Sequence, residues 1–126
     1  MNGLAGGEIL RHYVRSETYF SECAMPVADE AFFQRADAHI GLSNAQLSGA
    51  GGPDVAASMS WGTARFNTWL CANMMGSKAE MARRRDEAIA QLTEHYTQQL
   101  RAHFDNYIEE FDTYMRPGTI TRPPQG

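Results

Sequence analysis

From Asp54 to Met75 the chain reads DVAASMSWGTARFNTWLCANMM, with Asp54 at its start and Arg65 in its middle as the only charges. At helical spacing, Val55, Met59, Gly62, Phe66, Leu70 and Asn73 fall on one face. Ala57, Ser60, Ala64, Asn67 and Cys71 form a second strip, whose small side chains admit a close neighbour. A helix with so little charged surface has almost nothing to offer water, so the pattern predicts that it lies at the centre of a bundle.

The flanking patterns supply the rest of that bundle. Asp29 is placed to cap a helix carrying Phe33, Ala36, Ile40, Asn44 and Leu47 on one stripe, with Asp37 at the edge of that stripe. Ser48–Gly52 ends it, and Pro53 opens the central helix, where its missing N–H costs nothing. After Gly76, the spacing of Ser77 and Glu80 predicts a capping box. No Gly or Pro follows until Pro117, so one helix of roughly 38 residues, about 57 Å long, is expected. Its stripe runs Met81, Arg85, Ile89, Leu92, Tyr96, then Leu100, Phe104, Tyr107, Phe111 and Met115. The steps of four from Tyr96 to Leu100 to Phe104 turn the stripe around the helix, as a stutter does. The resulting fold class is all-α: a three-helix bundle with a buried central helix and a long C-terminal helix, spanning residues 25–117. Residues 1–24 form a weakly structured N-terminal extension in which Glu8–Phe20 makes at most a marginal helix. Residues 118–126 read as a disordered tail. Both ends are expected to be dispensable for folding.

Composition narrows the function without naming one. A chain of 126 residues, 43% hydrophobic and 21% charged, has room for one modest core. Its net charge of -4 argues against coating nucleic acid. Cys23 and Cys71 are too few for a disulfide framework, and Cys71 reads as a small apolar residue. The first twenty residues carry Glu8, Arg11, Arg15 and Glu17 with no apolar run between them, unlike a secretory signal. Arg65 and the Asn, Thr and Ser residues of the central stretch are too polar for a bilayer. A cytoplasmic location with no membrane contact is expected.

Phe33-x-Arg-Ala-Asp37, Ile40-x-Leu42-x-Asn44, Ala64-Arg-Phe-Asn67, Asp86-Glu-Ala-Ile89, Tyr96 and Asp105-Asn-Tyr-Ile108 stand in an order and spacing that resemble those of one family. That family comprises short bacterial proteins and is known as domain-of-unknown-function family 3144. The likeness covers about residues 29 to 111. It implies a small, all-helical cytoplasmic protein, and it brings no activity, cofactor or catalytic residue with it. Members usually begin just before the first helix, here at Met25; residues 1–24 and the Gly-rich Ser48–Gly52 linker depart from the pattern.

The usual chemistries find little support. Ala36, Leu92 and Leu100, rather than carboxylates, precede His39, His95 and His103 by three, so the di-metal signature of helical bundles is missing and no metal is expected. Cys71 in a neutral helix lacks the electropositive setting of a nucleophile. Gly49, Gly51 and Gly52 lack the Lys-Ser/Thr of a phosphate loop. Arg83–Arg85 is a compact basic run placed unfavourably for the dipole of its helix, and it reads as solvated surface balanced by Glu80, Asp86 and Glu87. No catalytic residue, enzyme activity or cofactor is expected.

Two clusters remain. Trp61, Arg65 and Trp69, spaced by four, can set a guanidinium between two indoles. With Asp37 and Asn67 they form a candidate interaction or structural cluster. A buried Arg65 requires a carboxylate, with Asp37 the first choice and Glu94 or Asp105 the alternatives. Leu100, Phe104, Tyr107, Phe111 and Met115 form a candidate oligomer interface. The reading is a non-enzymatic module for protein–protein interaction or self-association, most simply a homodimer and open to another protein partner. The alternative is a small-molecule-binding or regulatory bundle with a pocket lined by Trp61, Asn67 and Trp69.

Overall fold

The computed structural model describes residues 28–116, so the expectations for 1–24 and 118–126 lie outside the described residues. Among those residues the fold is all-α, with no strand: α1 (Glu30–Gln46), α2 (Gly52–Met75), α3 (Lys78–Glu109) and the single turn α4 (Phe111–Tyr114). No helix among them is long and apolar enough to cross a membrane.

Local signals set the helix ends. Asp29 caps α1: the Phe32 backbone N–H donates to Asp29 Oδ1 at 3.0 Å, satisfying one of the first-turn donors. Gly51 precedes α2 without a side-chain cap, and Pro53 sits inside the first turn one residue later than expected, because Gly52 is already helical. Gly76 ends α2 in the left-handed region at φ +77°, where its N–H reaches the Ala72 carbonyl. A side chain there would be strained, so glycine is the fitting residue. Ser77 then caps α3 by accepting from the Glu80 N–H at 3.1 Å. The expected capping box is only half formed, since the Glu80 carboxylate turns to Arg83 instead.

The anticipated burial of the central helix is not found within the single chain. Of the 24 residues of α2, only Val55 and Cys71 are buried, while Trp61 is 75% exposed and Phe66 63%. Scarcity of charge marks a surface that disfavours water; it does not say whether the same chain covers it. The packing that does exist is small. Cys71 and Ala88 join α2 to α3, with Met74, Met75 and Leu92 packed around them. Near the other end of α2, the Ser43 hydroxyl of α1 donates to the Met59 sulfur at 3.2 Å. No large side chain among the described residues is fully buried.

The last helix is also shorter than expected. α3 runs for 32 residues and stops at Glu110, whose backbone (φ -104°, ψ 23°) leaves the helical region. α4 follows as one turn. The rings of Tyr107 and Tyr114 lie 4.7 Å apart, although seven residues of unbroken helix would separate their Cα atoms by about 10 Å along the axis. The break lets the last turn fold back toward that contact.

Candidate exposed apolar surfaces

α3 carries two apolar faces where the sequence pattern suggests one shifting stripe. Met81, Ala88, His95 and Ala102 recur at intervals of seven, and all are buried or half-buried. This inner face has the spacing of a helix–helix seam, and its small alanines allow backbones to approach. The outer face starts one residue later, so it is turned by about 100°. Ile89, Tyr96, Leu100, Phe104 and Ile108 lie along it, every one exposed, with Phe104 at 65% and Ile108 at 72%. Phe111 and Met115, beyond the break, are exposed as well.

The structure thus leaves Leu100, Phe104, Phe111 and Met115 of the candidate interface uncovered and places Tyr107 apart from them. Tyr107 is half-buried against Tyr114, and burial, with the neighbouring Tyr114, raises its pKa above the ordinary tyrosine value. Ile108 takes its place on the outer face. The signal was in the sequence: Leu100, Phe104 and Ile108 are each four apart, whereas a step of three to Tyr107 leads inward.

On α2, Trp61, Arg65 and Trp69 are all exposed. The pairing of Arg65 with Asp37 is not formed. The ion pairs Arg83–Glu80 and Arg85–Asp86 lie on α3, and Arg65 joins neither. An arginine in water has no need of a buried partner, so the premise for the pairing falls with the burial of the helix. Glu94 and Asp105 are likewise not its partners. Nor do the two indoles flank the guanidinium: the ring contact of Trp69 is with Phe66, at 5.6 Å between centroids. Asn67 is half-buried on the same helix, and Asp37 half-buried on α1.

Charge divides α3 lengthwise. Its first turns hold Lys78, Arg83, Arg84 and Arg85 against Glu80, Asp86 and Glu87; its far end and α4 hold Asp105, Glu109, Glu110 and Asp112, with no basic residue in the last turn. Both ends oppose the helix dipole, which favours acid at the start and base at the end. The first imbalance is softened locally. Arg83 donates to Glu80 through two nitrogens, at 3.0 and 2.7 Å, and this pairing lowers the Glu80 pKa and raises that of Arg83. Arg85 reaches Asp86 at 2.6 Å. The acidic end has no such cation in its last turn.

Other chemistry is sparse. No group of three or more His, Cys, Asp or Glu able to hold a metal occurs among the described residues. Half-burial keeps the His95 pKa below the ordinary value. An open depression of about 460 Å³ lies where α1 meets α2, lined by Gln46, Ser48, Asp54, Val55 and Ser58 among others. Trp61, Asn67 and Trp69 are not in its wall, so it is not the pocket anticipated from the sequence.

A family model described as "Protein of unknown function (DUF3144)" matches residues 32–108. No curated protein and no solved structure gives a match.

Proposed function

The chain belongs to the DUF3144 family, a premise that assigns no activity, and we propose that it is a non-enzymatic self-association module. The observation that carries this reading is the uncovered apolar face of α3 and α4. The exposed fractions of Ile89, Tyr96, Leu100, Phe104, Ile108, Phe111 and Met115 amount to about four whole side chains. At ~200 Å² each, that is roughly 800 Å² per copy, the amount one partner contributes to a stable protein interface. A monomer rarely presents so much apolar surface to water.

In this reading the packed three-helix bundle with a covered central helix belongs to the assembly. In a single chain the fully buried inner residues are small, and most of the large aromatic residues of α2 and α3 lie outside. The Trp61–Arg65–Trp69 face is a second sticky surface, rich in the residue types that dominate binding energy, and it suits another copy or another protein. Sedimentation at micromolar concentration tests the proposal. A dimer or larger species is expected, and a monomer across the whole accessible range rejects it.

A further inference from the structure

We propose that residues 9–20 of this same chain lie over the aromatic face of α2 around Trp61, Arg65 and Trp69, so that an outside partner of that face must first displace them. This contact is separate from the self-association face of α3 and independent of it.

The face is open on the one side of α2 that its neighbours leave free. Met59 faces α1 and Cys71 faces α3, and Arg65 lies about 120° from each around the α2 axis. Trp61, Phe66 and Trp69 are 75%, 63% and 57% exposed there. Gly62 shares the face, with no atom within 4 Å of where a side chain would be. A glycine among large rings lets another chain settle close to the helix backbone.

The size of the face favours a tethered occupant. The uncovered parts of the three rings amount to about two whole side chains, roughly 400 Å² at ~200 Å² each. That is about half of the ~800 Å² that one partner brings to a stable interface between free molecules. A segment tied to the same chain is under no such requirement, because its local concentration is on the order of millimolar at any protein concentration.

The sequence before Ala28 supplies that segment. At helical spacing Ile9, Leu10, Tyr13, Val14 and Phe20 share one side, with Glu17 as the one charge among them. The α2 face has the same make-up with the opposite sign, rings around a single guanidinium. Laid together, the apolar residues cover the rings while Glu17 meets Arg65. A helix too marginal to stand alone gains a partner by this contact. The other end of the chain offers no equivalent, since residues 117–126 hold Ile120 as their one large apolar residue. Reach is sufficient. Glu30 stands about 20 Å along α1 from the Ser43–Met59 contact, and the stretch from Phe20 to Glu30 extends to about 33 Å.

Trp61 and Trp69 are the chain's two tryptophans, so fluorescence of the full chain reads this face alone. Emission should be shifted to the blue of tryptophan in water, and acrylamide should quench it weakly. Dilution to submicromolar concentration should change neither, even where it separates copies joined along α3. Ile9→Glu with Tyr13→Glu in the full chain should return the emission to its position in water and abolish the protection. Tyr19→Glu, on the other side of the segment, should leave both as they were. Circular dichroism checks that α1–α3 persist; should the double variant lose helical signal, Ile9→Ala with Phe20→Ala gives the same reading more gently. Water-like emission from the unaltered chain overturns the proposal. Cover that dilution removes assigns the face to a second copy and overturns it as well, as does cover that survives the Ile9 variants.

Discussion

The inner and outer faces of α3 lie about 100° apart on one helix, and they divide the side chains by size. Inside, the fully buried positions are Ala88 and Ala102, with Met81, Leu92 and His95 half-buried beside them; outside are Ile89, Tyr96, Leu100, Phe104 and Ile108. A normal core would show the reverse, with the largest apolar residues buried first. Small residues let two helices of one chain draw close, but they remove little surface from water. Large residues held outside contribute nothing to the lone chain and a great deal to an interface. In the proposed self-association, the strongest hydrophobic stabilisation would fall at the contact between molecules.

The largest effect is expected on the outer face. Leu100→Lys with Phe104→Lys puts four charges into a two-fold interface and should cost about 4 kcal/mol of association, near a thousandfold in Kd. Sedimentation reads this directly, and unchanged association would erase the distinction between the faces. On the inner face, Ala88→Leu forces three more carbons against Cys71 and should cost about 1–3 kcal/mol of folding stability. A thermal melt should fall while the folded protein still associates; loss of association at low temperature would mean the faces are not independent.

Smaller changes sharpen the contrast. Ser77→Ala removes the cap that starts α3 and should cost about 1 kcal/mol, lowering the melt without altering the interface. The mildest effect comes from His95, on the inner face. Burial holds its folded pKa below the unfolded value of about 6.5, so the folded chain prefers it neutral. Its contribution to stability is complete above pH 6.5 and declines as pH falls toward the lower, folded value. The melt should therefore be lower at pH 5.5 than at 7.5, and His95→Gln should remove part of that slope. A slope unchanged by this substitution would place the proton uptake elsewhere.

These faces also mark what could be read from the sequence. Asp29 and Ser77 were legible as caps because capping is settled within four residues. The helices themselves followed from periodicity. The partner of each face did not. Met81, Arg85, Ile89, Leu92 and Tyr96 read as one stripe, although Met81 and Leu92 turn inward and Ile89 and Tyr96 outward. Periodicity records which side avoids water, and it is silent on whether the cover comes from the same chain. That ambiguity also placed α2 in a core and gave Arg65 a carboxylate that an exposed guanidinium does not need. The stop at Glu110 carried no signal, since neither Gly nor Pro stands there; the contact of Tyr107 with Tyr114 joins residues that an unbroken helix would hold apart.

Gly76 has a mechanical consequence. No atom lies within 4 Å of where its side chain would be, and the two long helices that meet there are held by Cys71 and Ala88 with Met74, Met75 and Leu92 packed around them. α3 is then a lever about 48 Å long. A swing of five degrees about its base carries Glu109 roughly 4 Å at that length, as far as the width of a side chain. Only a partner that touched both α3 and the Trp61–Trp69 face of α2 would fix the angle between the two arms.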